Sequence, residues 1–463
     1  MSDCVVRFGG DNCNNLAFIG ELADFLNKKN GLRFVVVSSI TKIYQVVSES
    51  LDRIFLSGGK TVIQAGILED IFTETTGEPA TSEYKELVNQ LTQLLYGISM
   101  AGDYSKALEG VIISFCEKLS AHIFQYRLKQ FLPARIILPE DFDFRVLPEY
   151  GNATFLSYGI TKLRNLSSET IYIIPGSYGI TETGKIARAG YSASDYSAAA
   201  LTASLDGSEL TLWGLENDFF SADPKLVDNP AKIGRLTYSE ASELAYFDHY
   251  SLHPRTVEPL EEKHIPIYIV GNNSSRIETV INSETFISER IVKGIAYTDD
   301  ISLLKLEGPG VGLKPGILAR VTTLLSEAGI NVKSVITSQV SINFILSRNE
   351  ATRALSHIEQ LGLSSVREIS VIREVSLIGI VGYGMQQNYG VSARLFAAVA
   401  ENKINVLLSG SGASDLVSYL VVKKSDRNKS IHEIYRAFFN QPKETNQTSG
   451  CLSLSDISLT GKN

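Results

Sequence analysis

The sequence predicts an α/β protein: one large domain on a mainly parallel sheet, followed by two small βαββα units. Two observations carry that prediction. At the N-terminus a strand, a helix and a nearly all-apolar strand follow one another, the pattern of a sheet buried on both faces. Towards the C-terminus one pattern occurs twice. Gly316-Ile317-Leu318-Ala319-Arg320 leads to Ile330-Asn331-Val332, and Gly390-Val391-Ser392-Ala393-Arg394 leads to Ile404-Asn405-Val406 at the same spacing. Repetition in such detail marks a duplicated structural unit.

Cys4-Val5-Val6-Arg7-Phe8 reads as the first strand and runs into Gly9-Gly10. A diglycine there brings backbone N–H groups close to anionic oxygens, or simply makes a tight turn. Leu16, Ile19, Leu22, Phe25 and Leu26 recur at helical spacing, and Arg33-Phe34-Val35-Val36-Val37 is the second strand. Helical patterns fill residues 82–130. Strands resume at 134–138 and 171–174, a helix spans 196–205, and further strands follow at 210–213 and 265–270. Residues 1–285 are thus expected to form one domain, with 290–370 and 371–440 as the two repeats. Each repeat opens on an alternating strand (301–306, 375–381) and closes on a helix (350–360, 430–439). Residues 441–463 read as a polar tail.

Composition narrows the class. A chain of 463 residues allows two to four domains. With 44% hydrophobic and 20% charged residues it is ordinary globular material, and a net charge of −8 gives no footprint for nucleic acid or an anionic membrane. No apolar run reaches the ~18–20 residues of a spanning helix, and the start lacks a basic segment leading into an apolar one. Cys4, Cys13, Cys116 and Cys451 are scattered, which points to a reducing cytoplasm and away from a disulfide framework or a metal site. Ser57-Gly58-Gly59-Lys60-Thr61 imitates the end of a P-loop, but Ile54 stands where that motif needs glycine. His253, before Pro254, reads as a structural histidine at a turn, and Asp223-Pro224-Lys225 as a turn.

Taken in order, these segments resemble one family. Phe8-Gly9-Gly10, Ser194-Asp195-Tyr196-Ser197-Ala198, Ala222-Asp223-Pro224-Lys225, Glu240 to Phe247, Leu252-His253-Pro254-Arg255-Thr256 and the doubled C-terminal unit together resemble the aspartate kinases. The likeness covers essentially residues 4–440. It implies an amino-acid-kinase-type three-layer domain that phosphorylates the side chain of L-aspartate with ATP and Mg²⁺. It also implies paired ACT domains that bind an end-product amino acid and join chains into a homodimer or higher oligomer. Carried over residue by residue, Arg7 and Asp195 stand at catalytic positions, Ser38, Thr41 and Ser194 at the substrate, and Gly9, Gly10, Asp223 and Lys225 at the nucleotide. Gly316, Ile317, Leu318, Val332, Thr337 and Ser338 stand at the effector site. Leu318, Leu324, Leu325 and Val332 are expected in the core.

Departures from the family pattern fall on charged positions. Arg7 replaces the opening lysine, which is no neutral exchange. Asp11 adds a negative charge beside the phosphate loop. The substrate-holding glutamate of a Gly-Glu pair reads as Ile98, the carboxylate-clamping arginine as Tyr191, and a second phosphate-facing lysine as Tyr250. The Thr-Asp of the nucleotide segment reads as Gly214-Leu215. An acidic effector residue reads as Lys333, which disfavours a cationic effector. Losing one preorganised charge contact costs about 10²–10³ in rate. The expectation is therefore a degenerate kinase that senses an amino acid or regulates a partner, such as an active homologue. Two alternatives stand beside it: a working kinase rebuilt on Arg7, Lys225 and Arg188, and a kinase-fold enzyme of altered substrate.

Overall fold

The computed structural model describes residues 3–56, 65–102, 105–149, 151–156, 160–190, 192–214, 219–247, 252–271, 276–285, 291–411 and 414–439. Tyr191, Leu215, Tyr250, the P-loop-like segment and the 441–463 tail lie outside the described residues.

The large domain opens with β1 (Cys4–Phe8), α1 (Leu16–Asn27) and β2 (Arg33–Val37). Four helices follow: α2 (Thr41–Leu56), α3 (Ala65–Thr76), α4 (Ser82–Ala101) and α5 (Lys106–Leu128). Next come β3 (Ala134–Ile136), β4 (Ile171–Pro175), the hairpin β5 (Tyr178–Ile180) and β6 (Ile186–Arg188), and α6 (Ser194–Ser204). It closes with β7 (Leu210–Trp213), β8 (Arg235–Thr237), α7 (Tyr238–Ala245), α8 (Glu258–Glu261), β9 (Ile267–Val270) and β10 (Ile277–Asn282).

Its main sheet runs β3-β4-β2-β1-β7-β9-β10-β8, with every neighbouring pair parallel except β9–β10. Alternation along β1 explains the three layers. Val5 packs into a core shared with α6, α7 and α8, whereas Cys4, Val6 and Phe8 pack into the core under α1 to α5. All of α6 is buried, and its run of small residues, Ala198-Ala199-Ala200, lets it lie close to the strands. Because β1 pairs with β2 on one side and β7 on the other, the crevice beyond its carboxyl end is a topological switch point.

The C-terminal part comprises β11 (Gly294–Thr298), β12 (Ser302–Glu307), α9 (Ile317–Glu327), β13 (Val332–Thr337), β14 (Ser341–Leu346), α10 (Ala351–Gln360) and β15 (Glu368–Ile372). Then come β16 (Val375–Val381), α11 (Val391–Glu401), β17 (Val406–Gly410), β18 (Val417–Lys423) and α12 (Arg427–Phe439). Gly316 and Gly390 start α9 and α11 with φ of 88° and 82°, so the repeated glycine marks the same left-handed backbone twice.

One strand departs from the simple tandem. β11 falls within the 290–370 span expected for the first unit, yet it pairs antiparallel with β16 in the second sheet, β11-β16-β18-β17. The first sheet, β13-β14-β12-β15, is inserted between β11 and the rest of the second. The sequence reading also misplaced Leu318. α9 buries Ile317, Val321 and Leu325, an i, i+4, i+8 stripe, which leaves Leu318 40% exposed on the outer face.

The second sheet docks on the α6–α7 side, where Val375, Leu377 and Val421 join the large domain's core. A charged knot fixes that junction. Glu240 caps α7 by accepting from Thr237 N (2.9 Å), and the same oxygen meets Lys293 Nζ at 2.6 Å. Its other oxygen accepts from Tyr383 N at 2.9 Å, beyond β16. No helix among the described residues is long and apolar enough to cross a membrane.

Candidate functional site

The site sits where the ends of β1, β2, β4 and β7 meet. Gly9 and Gly10 are required there by space: a Cβ on Gly9 would stand 2.6 Å from Gly214 O, and one on Gly10 2.3 Å from Ser38 O. Gly10 N donates to Ser38 Oγ at 2.9 Å, which joins two of the predicted residues directly.

Arg7 projects from β1 into the crevice and is 6% exposed. Its Nε lies 2.7 Å from Asp195 Oδ1 and 3.3 Å from Ser194 Oγ, while Nη1 is buried with no hydrogen-bond partner. Burial pushes the Asp195 carboxyl above the usual range, and the Arg7 charge opposes that shift. The other Asp195 oxygen accepts from His253 N at 3.3 Å. His253 itself stays neutral. Burial, then the neighbouring Arg255, lowers its pKa to about 4, Nδ1 accepts from Arg255 N, and the ring stacks on Tyr196. The structural reading of His253 therefore extends to positioning Asp195.

Asp11 and Thr41 are hydrogen-bonded to each other. The Asp11 carboxylate accepts from Thr41 N (2.8 Å) and Thr41 Oγ1 (2.5 Å) at the start of α2. A carboxylate at a helix N-terminus satisfies orphan N–H groups and complements the macrodipole. A cavity of about 430 Å³ opens beside this pair, lined also by Asn14, Lys42, Gln45 and Glu74.

The position read for the glutamate lies away from the strand ends. Ile98 is 3% exposed within the apolar core of α4. Glu117, on α5, is a buried carboxylate beside Ser177 and under the influence of Arg188. It is 3% exposed, is hydrogen-bonded to Ser177 at the end of β4, and leaves Oε2 without a partner. Burial raises its pKa, while the Arg188 charge pulls it down. Arg188 ends β6, 9% exposed, with Nη2 donating to Gly190 O at 3.2 Å and Nε unpartnered. Ser177 holds φ at 66°, an uncommon backbone for a serine, and its N donates to Ser197 Oγ. The sequence signal available was Glu117 with Ser114 and Ser120 on one apolar helix. Ser120 Oγ accepts from Ile40 N, which ties that face of α5 to the loop after Ser38.

On the nucleotide side, Asp223 is spent inside the protein, whereas the Lys225 side chain is exposed. Asp223 accepts from Lys225 N (2.9 Å) and from Tyr297 Oη (3.2 Å), a residue of β11, and its neighbours Ala222 and Val227 lie in the core of the second small unit. Fit to ATP with Mg²⁺ is thus partial. Gly9, Gly10 and the unpartnered Arg7 Nη1 suit phosphate oxygens, whereas Asp223 is already engaged. Among the described residues no group of three acidic, His or Cys side chains is placed to hold a metal.

At the other end, Gly316, Ile317, Leu318, Val332, Thr337 and Ser338 occupy the start of α9 and the strand facing it. The turn after β13 abuts the loop before α9: Gly312 N donates to Gln339 O at 3.1 Å. Ser338 Oγ accepts from Ser341 N. Lys333 meets Asp300, between β11 and β12, and lies 5.4 Å from the ring centre of Tyr246 in the large domain.

Residues 4–271 match the amino acid kinase family, and 304–361 and 378–438 each match the ACT domain. The bifunctional aspartokinase/homoserine dehydrogenase of Haemophilus influenzae is 31% identical over 287 residues, 60% of this chain and 35% of that protein. Aspartokinase 1, chloroplastic, of Arabidopsis thaliana is 24% identical over 463 residues, 94% of this chain and 80% of that protein. The chain spans between about a third and a half of the bifunctional relatives it matches. The crystal structure of E. coli aspartokinase III with aspartate and ADP (R-state) has TM-score 0.80 and 22% identity, covering 95% of this chain and all of that one.

Proposed function

Because the chain belongs to the amino acid kinase family and carries two ACT domains, we propose that it is an aspartokinase homologue that keeps amino-acid binding and has lost most phosphoryl transfer. Glu117 carries this reading: a fully buried carboxylate with an unmet oxygen is costly unless a cationic ligand group completes it. L-Aspartate, the ligand named for E. coli aspartokinase III, offers such a group in its ammonium. The phosphoryl side lacks matching equipment. Arg7 is tied to Asp195, and Asp223 to β11. ATP with Mg²⁺, when bound, supplies the transferable phosphoryl group, and Gly9, Gly10 and Arg7 would face its phosphates. With Arg7 tied to Asp195, charge stabilisation of the transferring group is weak.

The protein then works as an amino-acid-responsive regulator in aspartate-family metabolism. Its ACT pair assembles it with a second copy or an active homologue, through the face bearing exposed Leu313, Leu318 and Val340. Calorimetric titration with L-aspartate, paired with hydroxamate trapping of acyl phosphate from ATP, Mg²⁺ and aspartate, tests both halves. Aspartate binding with hydroxamate at background is the expected result; no aspartate binding overturns the first half. Robust hydroxamate overturns the second and favours a working kinase built on Arg7, a reading supported by the unpartnered Nη1 near Gly9.

A further inference from the structure

We infer that Arg188 is the relocated clamp for the ligand's α-carboxylate, and so determines specificity for an α-amino acid. The inference rests on the amino-acid-binding reading above and names how that site recognises its ligand. In the resemblance the clamp is an arginine at the position of Tyr191, and an arginine occurs instead three residues earlier, at the last residue of a strand.

Its placement fits the role. Backbone bonds anchor Arg188 from both sides: Ala153 N donates to its carbonyl, and Ala189 N to Ser177 O. The side-chain stem runs over Gly110 of α5, with Cγ 3.7 Å from where a Cβ there would sit. Gly110 and Glu117 are two turns apart on one face of α5, so the stem runs along the face that carries the carboxylate. Nη2 turns back to Gly190 O.

The unmet atoms complete the argument. Arg188 Nε and Glu117 Oε2 are both buried without hydrogen-bond partners, though the two charges attract. Two buried opposite charges normally discharge that cost on each other. Here neither does. A zwitterion satisfies both at once, its ammonium at Glu117 and its α-carboxylate at the planar guanidinium, which forks onto carboxylates as no other side chain does. A ligand without the α-carboxylate leaves the arginine unmet.

Calorimetry with L-aspartate and with its α-amide tests this on the wild type, on Arg188→Gln and on the double variant Arg188→Gln/Tyr191→Arg. Melting temperatures without ligand are taken in parallel. We expect the wild type to prefer L-aspartate at least about tenfold. Arg188→Gln should erase the preference, and returning an arginine to position 191 should restore it. A purely structural role for Arg188 would lower melting temperature without changing the ratio of the two ligands. If Arg188→Gln does not fold, Arg188→Lys replaces it, and the preference should fall several-fold because an ammonium cannot fork. Full preference in either folded variant overturns the inference alone. Absence of any aspartate binding by the wild type overturns the functional reading and the inference with it.

Discussion

Two pairs of buried opposite charges in this molecule have opposite outcomes. At the junction with the second ACT sheet, Glu240 spends both oxygens, on Thr237 N, Lys293 Nζ and Tyr383 N. Beside the strand ends, Glu117 and Arg188 are as deeply buried, yet each keeps an atom unmet. Burial alone therefore does not distinguish structure from function. Completeness of the hydrogen bonding does: a closed knot holds elements together, and an open one awaits a ligand.

The largest effect tests the closed knot. Lys293→Met leaves Glu240 charged and buried, and should cost about 3–5 kcal/mol in urea unfolding. Restoring most of that loss by Lys293→Met/Glu240→Leu would sharpen the contrast, and a loss below about 1 kcal/mol would break it.

His253 gives the next effect. Its folded pKa of about 4 lies below the ordinary value, so the native state binds fewer protons than the unfolded one. The stability it contributes is complete above the ordinary histidine pKa and drains away as pH falls towards 4, by up to about 3 kcal/mol. Unfolding curves at pH 7 and 4.5 should show this, and His253→Gln should flatten the dependence. An unchanged slope would remove His253 from the account.

The smallest stability effect belongs to the open pair. Burial already pushes Glu117 towards its neutral form, so Glu117→Gln should shift stability by no more than about 1 kcal/mol at pH 7. Aspartate affinity should fall about 10- to 100-fold in the same variant. Matching losses at Glu117 and Lys293 would erase the distinction between the two pairs.

Periodicity made most of the fold legible. The apolar strands β1 and β2, the helices α1, α4 and α5, and the doubled glycine-opened units all follow from spacing that local chemistry dictates. The pairing of β11 with β16 was hidden, because nothing in Gly294–Thr298 says which of two similar sheets it joins. In the site, Gly10 and Ser38 are joined directly, and Ser194 and Asp195 lie against Arg7. Glu117 is not legible from a Gly-Glu pattern, because Cys116 precedes it and only packing reveals which helix face meets the strand ends. The position of Asp223 against Tyr297 was hidden for a related reason: a turn sequence fixes its own shape but not its neighbour across a domain boundary.

The insertion of one small unit into the other also imposes an order on biosynthesis. β11 leaves the ribosome before its partner β16 has been translated, and a whole independently closable unit is made in between. Until Val375–Val381 arrives, β11 lacks its sheet partner and is held by Ile295 N on Ser221 O and Tyr297 Oη on Asp223. Chains stalled within that interval leave the β16-facing edge of β11 open, the kind of edge that recruits other chains. A regulatory fragment cut after Thr298 would lack the outer strand of its second sheet, so a soluble one has to begin before Gly294.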